Sequence, residues 1–205
     1  MQPHPRLRLA GPSGRRQFLL RTGVALGSPA LAFAAQAHNA AGLVEGPLAP
    51  PSFRFRLNDG SQVVTEQLLK GRVTALQLMF TGCSATCPIQ GALFADLERR
   101  LLATRLPSQP RLLSVSIDPL GDDPAALSAW LRSFGAGAMW KAASPAVSDL
   151  DPWLDYLQGR QTGVDRHTGQ VYLFDRAGRL VLRTVDFPVM GEVARLIADL
   201  VARKD

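Results

Sequence analysis

The strongest constraint on the fold is an apolar run that leads through two cysteines into a helix. Residues 73–80 are almost continuously apolar, which is typical of a strand buried on both faces of a sheet. Cys83 and Cys87 follow at once, and Pro88 suits the first turn of a helix. That helix presents one apolar face, made of Leu93, Phe94, Leu97 and Leu101. A buried strand, a short turn and a helix in this order indicate an α/β domain.

The rest of the chain repeats this alternation of strands and helices. The sequence predicts a hairpin at 53–57 and 62–64, a strand at 112–117, a helix capped by Asp123 that runs to about 134, a helix at 147–157 that Pro152 should end or bend, a hairpin at 171–174 and 180–182, and a final helix at 191–203. We expect Trp130, Trp140 and Trp153 to pack in the core. This order favours a thioredoxin-like fold of the α/β class, with a central mixed sheet flanked by helices and an N-terminal β-hairpin.

Positive charge is concentrated at the start of the chain. The formal net charge is +6, yet the first 37 residues carry five arginines and no acidic residue, so the remainder is close to neutral. No basic cluster with interleaved aromatic residues follows residue 40. We therefore expect no nucleic-acid partner.

The basic leader resembles a twin-arginine export signal. Arg15 and Arg16 precede Phe18 and Leu19, and a mildly apolar stretch of 14 residues, 22–35, then leads into the small-x-small site of residues 35–37. A spanning helix needs about 20 apolar residues, which favours a cleaved signal over a membrane anchor. We therefore predict a cleaved signal at 1–37, a flexible Pro- and Gly-rich tether at 38–52 and a folded domain at 53–205. The location would be the periplasm or the outer face of the cell membrane.

The two cysteines of the chain lie four residues apart. As a structural disulfide they would close too short a loop to stabilise the fold much. At a helix N-terminus, unpaired N–H groups favour thiolates. Two adjacent thiolates repel each other, and a bound cation relieves that repulsion. Sulfur ligands select copper(I) or zinc over magnesium or calcium. The pair therefore indicates a metal site or a redox-active dithiol.

His167 is the candidate third ligand. It lies in a polar loop just before the strand predicted at 171, and only His38, in the tether, would also remain after cleavage. A loop histidine is ordinarily a surface residue. In a thioredoxin-like sheet, however, the loop before the C-terminal hairpin faces the cysteine turn, which places His167 opposite the sulfurs.

Three motifs resemble the Sco/SenC family of copper proteins. They are Phe-Thr-x-Cys-x-x-x-Cys-Pro at 80–88, Ser-Ile-Asp-Pro at 116–119 with Asp-Asp-Pro at 122–124, and His-Thr at 167–168 with Tyr-Leu five residues after the histidine. The resemblance spans about residues 53–201. It implies a thioredoxin fold, one copper ion held as Cu(I), Cu(II) or both by Cys83, Cys87 and His167, and a role as a chaperone. The partner implied is an apo copper protein, namely a cytochrome oxidase subunit with a CuA centre.

The chain departs from the family pattern beside two of these ligands. Ser84 and Ala85 stand where Pro-Asp is common, and Arg166 stands where an aspartate is common, with Asp165 one position earlier. The three candidate ligands are intact. The changes bear on partner recognition and redox potential.

Two other functions use the same cysteines. A thiol-disulfide oxidoreductase would reduce the cysteines of copper-site apoproteins, but such enzymes usually have two residues between their cysteines and a cis-proline where this chain has residues 167–168. A peroxiredoxin is disfavoured by the paired cysteines. The prediction is therefore a monomeric metallochaperone that contacts the membrane only through its partner or an uncleaved signal.

Overall fold

The computed structural model describes residues 41–163 and 166–203. Within them, eight strands form one sheet and five α-helices pack on it. In chain order these are β1 (Gly42–Leu48), β2 (Arg54–Leu57), β3 (Gln62–Val64), α1 (Thr65–Leu69), β4 (Thr74–Met79), α2 (Cys87–Ala103), β5 (Arg111–Ser116), α3 (Pro124–Ser133), β6 (Trp140–Pro145), α4 (Leu150–Leu157), β7 (Val171–Phe174), β8 (Leu180–Arg183) and α5 (Met190–Ala202).

The sheet is mixed, and its strand directions decide what lies at each edge. The order is β1-β8-β7-β4-β5-β6-β2-β3. Strands β4, β5 and β6 are parallel. Strand β8 runs in the same direction as β4, because both are antiparallel to β7. The carboxyl ends of β4, β5, β6 and β8 therefore share one edge of the sheet, and the amino ends of β4, β5 and β6 share the other.

Apolar side chains fill both faces of the sheet. On one face α2, α3 and α5 cover a cluster that contains Phe94, Trp130 and Trp140. On the other face α1 and α4 cover a cluster that contains Phe53 and Trp153. The exposed fractions of the three tryptophans are 8%, 1% and 0%, which confirms their predicted place in the core.

Most predicted elements are present, and the predicted thioredoxin-like arrangement of a central mixed sheet between helices is confirmed. Both hairpins form antiparallel pairs, and the carboxylate of Asp123 caps α3 by accepting from Ala126 N–H at 2.8 Å. A 3₁₀ turn at Val147–Asp149 precedes α4. Pro152 is the third residue of α4, where no intrahelical N–H bond is required, so the helix continues to Leu157.

The expectation that residues 38–52 hold no folded element is wrong for 42–48. These residues form β1, which pairs antiparallel with β8. The register shifts between Leu43 and Leu48, and Gly46 adopts a φ of 69°. A glycine in this conformation followed by Pro47 interrupts the alternation that marks a strand, which explains why the sequence pattern resembles a tether.

The predicted export signal, with Arg15 and Arg16, lies outside the described residues, as does His38. Across the part of the chain that the structure describes, none of the helices combines the length and the apolarity needed to cross a bilayer.

Candidate metal centre

The cysteine turn lies at the carboxyl end of β4, one of the two middle strands of the sheet. All six residues of β4 are buried, and the chain turns within seven residues into α2, which begins at Cys87. The N–H of Cys83 donates to the carbonyl of Phe80 at 3.2 Å and closes this turn. The N–H of Cys87 points at the Cys83 sulfur at 3.5 Å. The Cys83 sulfur therefore sits at the positive end of α2.

Local hydrogen bonds favour the thiolate form of Cys83. Partial burial by itself would raise the pKa of this thiol. The backbone N–H of Cys87, the Cys87 side chain and the N–H groups of Ala85 and Thr86 outweigh burial and lower the pKa below its ordinary value. This is the behaviour expected of a sulfur at a helix N-terminus.

His167 lies against the second cysteine. Its Nε2 atom is 3.8 Å from the Cys87 sulfur, although 80 residues separate the two in the chain. The ring is 2% exposed and meets the Phe80 ring edge-on, at a centroid distance of 6.3 Å. The prediction that this loop faces the cysteine turn is therefore correct, whereas the side chain is buried and not the surface residue that its polar surroundings suggest.

The other ring nitrogen fixes the tautomer of His167. Nδ1 lies 2.9 Å from the carbonyl oxygen of Thr168. A carbonyl can only accept, so in the neutral ring Nδ1 carries the hydrogen and donates it. Nε2 then directs its lone pair toward Cys87. A second hydrogen bond that orients a ring in this way is typical of histidine ligands.

The distance between the Cys87 sulfur and His167 Nε2 can be compared with the separation of two donors that share one metal ion. Metal–sulfur and metal–nitrogen bonds of about 2.3 and 2.0 Å, at an angle of about 120°, separate the two donors by about 3.7 Å. The observed 3.8 Å between Cys87 and His167 fits one ion between them. Within residues 41–163 and 166–203, however, no three His, Cys, Asp or Glu side chains already stand as a ready-made metal cluster. The structure thus brings Cys87 and His167 together, with Cys83 one turn away.

A buried carboxylate, which the sequence motifs did not single out as part of the site, holds the cysteine turn in place. Asp122 is 3% exposed and accepts from the N–H and the hydroxyl of Thr81, at 3.1 and 2.5 Å. It also accepts from the Ser116 hydroxyl at 2.5 Å. These bonds join the turn to the end of β5. Asp122 therefore has structural partners on both sides of this connection.

Sequence comparison supplies the family. A family model described as SCO1/SenC matches residues 49–202, about three quarters of the chain. The chain belongs to the SCO1/SenC family. The resemblance deduced from the three motifs is thus confirmed.

Relatives of this SCO1/SenC protein include a SCO1 protein homolog of Bacillus subtilis. It is 34% identical over 82 residues, which are 40% of this chain and 41% of the relative. The match thus spans about two fifths of that relative's length.

Solved structures agree on the fold. Yeast Sco1 with copper bound has a TM-score of 0.66 at 16% identity, covering 78% of this chain and 91% of its own. BsSco, described as a member of the Sco family of cytochrome c oxidase assembly proteins, has a TM-score of 0.66 at 23% identity, covering 78% and 99%. At these identities the matches show the fold.

The residues that depart from the family pattern lie on the surface of the SCO1/SenC site. Ser84, Ala85 and Arg166 border the three candidate ligands, and Arg166 is exposed with a φ of 56°. Asp165 lies outside the described residues. Because none of these side chains separates Cys87 from His167, the departures leave the sulfur–nitrogen approach intact.

Proposed function

We propose that this protein is a copper chaperone of the cell envelope, which binds one copper ion through Cys83, Cys87 and His167 and delivers it to a CuA-type centre of a respiratory oxidase. The observation that carries the proposal is the 3.8 Å approach of His167 Nε2 to the Cys87 sulfur. The crystal structure of yeast Sco1 contains bound copper. BsSco is a member of the Sco family of cytochrome c oxidase assembly proteins.

The chain's own groups suit a soft, exchangeable cation. The lowered pKa of Cys83 keeps its sulfur available as a thiolate, and sulfur is the donor that copper(I) prefers. The hydrogen bond from Nδ1 to Thr168 presents the nitrogen donor without a proton on it. Cys83 is only partly buried, so a receiving protein could reach the site from that side.

The surface beside the site suits a protein partner. We name as the apolar rim Ile89, Leu120, Val185, Phe187 and Val189, whose exposed fractions run from 43% to 84%. They follow the carboxyl ends of β4, β5 and β8, which share the edge of the cysteine turn. The N–H of Phe187 donates to the carbonyl of Gly169 at 3.0 Å, two residues from His167. Exposed apolar groups in one area are typical of a docking surface.

Copper titration tests the proposed site. Reduced protein should bind one copper(I) ion per chain, and Cys83→Ser and Cys87→Ser should each lose it. Two or more tightly bound ions, or wild-type affinity in either variant, would contradict the site. Val185→Asp is the test of docking, since it should retain copper and slow its transfer to a CuA apoprotein.

A second function, thiol-disulfide exchange, is favoured by the lowered pKa of Cys83. In that reaction Cys83 and Cys87 would be oxidised to a disulfide while a disulfide of the substrate is reduced to two thiols. The reaction needs no imidazole ligand. His167→Ala should therefore weaken copper binding, most of all for copper(II), and leave disulfide exchange largely intact. An oxidase defect in the cysteine variants alone would assign the function to thiol chemistry.

Export by the twin-arginine route is part of the proposal and rests on Arg15 and Arg16. Changing both residues to lysine should leave unprocessed precursor in the cytoplasm. Immunoblots of cytoplasmic and periplasmic fractions measure this, and normal export of the variant would require another route.

A further inference from the structure

Three cations surround one cavity at the amino edge of the parallel strands, opposite the cysteine turn. Arg72 precedes β4 by two residues, Arg111 is the first residue of β5, and Lys141 is the second residue of β6. All three line a cavity of about 250 Å³. Its other walls are Gln67 and apolar side chains that include Leu57, Val63 and Met139, and none of the lining residues is acidic.

Arg111 is a half-buried cation, and one of its nitrogens lacks a partner. Its Nη1 atom is buried and has no hydrogen-bond partner. Burial lowers the pKa of Arg111, and the nearby charge of Arg72 lowers it further. Among the described residues, none of the recorded ion pairs includes Arg72, Arg111 or Lys141. These three cations therefore form no ion pair within this part of the chain.

A carboxylate, that of Asp59, lies near Lys141. Asp59 lies close enough to Lys141 for that charge to lower its pKa, but hydrogen bonds from Ser61 lower it more. Asp59 accepts from the N–H and the hydroxyl of Ser61 at 2.9 and 2.6 Å. Asp59 therefore offsets part of the Lys141 charge, whereas the charge that acts on Arg111 is the positive one of Arg72.

We propose that this cavity binds a phosphate group. Burying an unpaired cation costs free energy, which an anionic ligand would recover. A guanidinium presents a planar fork of donors that matches phosphate oxygens, and a lysine adds a point charge. Gln67 contributes as well: its carbonyl oxygen accepts from Val64 N–H at 3.0 Å, so its NH₂ group can donate to a ligand. The apolar walls suit a carbon chain attached to the phosphate.

The site is independent of the metal centre by position. The six residues of β4 separate the two edges, a distance of about 20 Å in an extended strand. Phosphate chemistry has two sources at a cell envelope, dissolved phosphate and the headgroups of anionic lipids. A lipid headgroup bound here would leave the cysteine edge directed away from the bilayer.

Binding measurements on wild type and single variants test the proposal. Inorganic phosphate is titrated calorimetrically, and vesicles of phosphatidylglycerol and phosphatidylcholine are compared with vesicles of phosphatidylcholine alone by co-sedimentation. Loss of a charge-assisted hydrogen bond should weaken binding about tenfold or more in Arg111→Gln, and by less in Arg72→Gln and Lys141→Gln. Arg56→Gln is the matched control, because Arg56 is exposed, carries the same charge and lines a different cavity.

Each outcome decides the proposal. Phosphate binding that is lost in Arg111→Gln and kept in Arg56→Gln supports it with a dissolved ligand. Selective binding to anionic vesicles with the same pattern supports it with a lipid headgroup. Absence of both, or an equal loss in Arg56→Gln, overturns it. Lys141→Gln changes an exposed residue and keeps the test valid if the Arg111 variant does not fold.

Discussion

The two edges of the parallel strands β4, β5 and β6 carry charge in different ways. At the carboxyl edge the Cys83 sulfur receives N–H groups from its own turn, and Asp122 ties that turn to β5. At the amino edge, Arg111 keeps a buried nitrogen without a partner. The first edge is organised by local hydrogen bonds, whereas at the second edge, within the described residues, a buried Arg111 nitrogen has no partner and its three cations form no ion pair. The same strands can thus hold two sites with unrelated chemistry.

The largest expected effect is a reciprocal loss of binding. Cys87→Ser should lower copper(I) affinity by more than the roughly 10- to 100-fold typical of residues outside the ligand shell, and it should leave phosphate binding unchanged. Arg111→Gln should do the reverse. Both ligands are measured on both variants, and coupled losses would show that the edges are not independent.

Removal of the Asp122 carboxylate should destabilise the carboxyl edge. Asp122→Ala leaves Thr81 and Ser116 without their acceptor, which should lower the free energy of unfolding by about 2 kcal/mol. Denaturant unfolding measures the change. Asp123→Ala, which removes only the exposed helix cap, is the neighbouring control and should cost about 1 kcal/mol. Equal losses in the two variants would mean that Asp122 does not hold the turn.

At the amino edge, removal of a charged group should raise the free energy of unfolding. In phosphate-free buffer, Arg111→Gln removes a partly buried, unpaired charge, so the free energy of unfolding should rise by about 1 kcal/mol. Added phosphate should stabilise wild type and reduce this advantage. A variant that is less stable than wild type without phosphate would contradict the description of this edge.

The smallest effect is a shift in thiol reactivity. Because the pKa of Cys83 is lowered, its alkylation by iodoacetamide should remain fast at pH values below those of an ordinary thiol. The stability contributed by the thiolate is present above the ordinary thiol pKa and is lost as the pH falls through the lowered value. Mass spectrometry of the Cys83 peptide across pH measures the midpoint, and the unfolded chain is the reference.

Elements with a local sequence pattern could be predicted, whereas elements placed by long-range pairing could not. Strand β4, helix α2 and the two hairpins have local patterns, and the two cysteines lie within five consecutive residues. Strand β6, residues 140–145, escaped prediction because its alanines carry no strand preference, and its place between β5 and β2 is set by the sheet. Strand β1 likewise depends on pairing with β8.

The two sites also differ in how far local sequence patterns could predict them. His167 could be placed because the fold puts its loop opposite the cysteines, although its burial could not. The tie made by Asp122 depends on a contact across 41 residues. Arg72, Arg111 and Lys141 lie on three separate strands or loops, so no local motif marks the cavity that they share.

X-ray absorption at the copper edge of the loaded, reduced protein tests the central claim most directly. The account predicts two sulfurs at about 2.3 Å and one nitrogen at about 2.0 Å. In His167→Ala the nitrogen contribution should disappear while both sulfurs remain. A copper environment without two sulfurs in wild type, or one that is unchanged in His167→Ala, would contradict the proposed site.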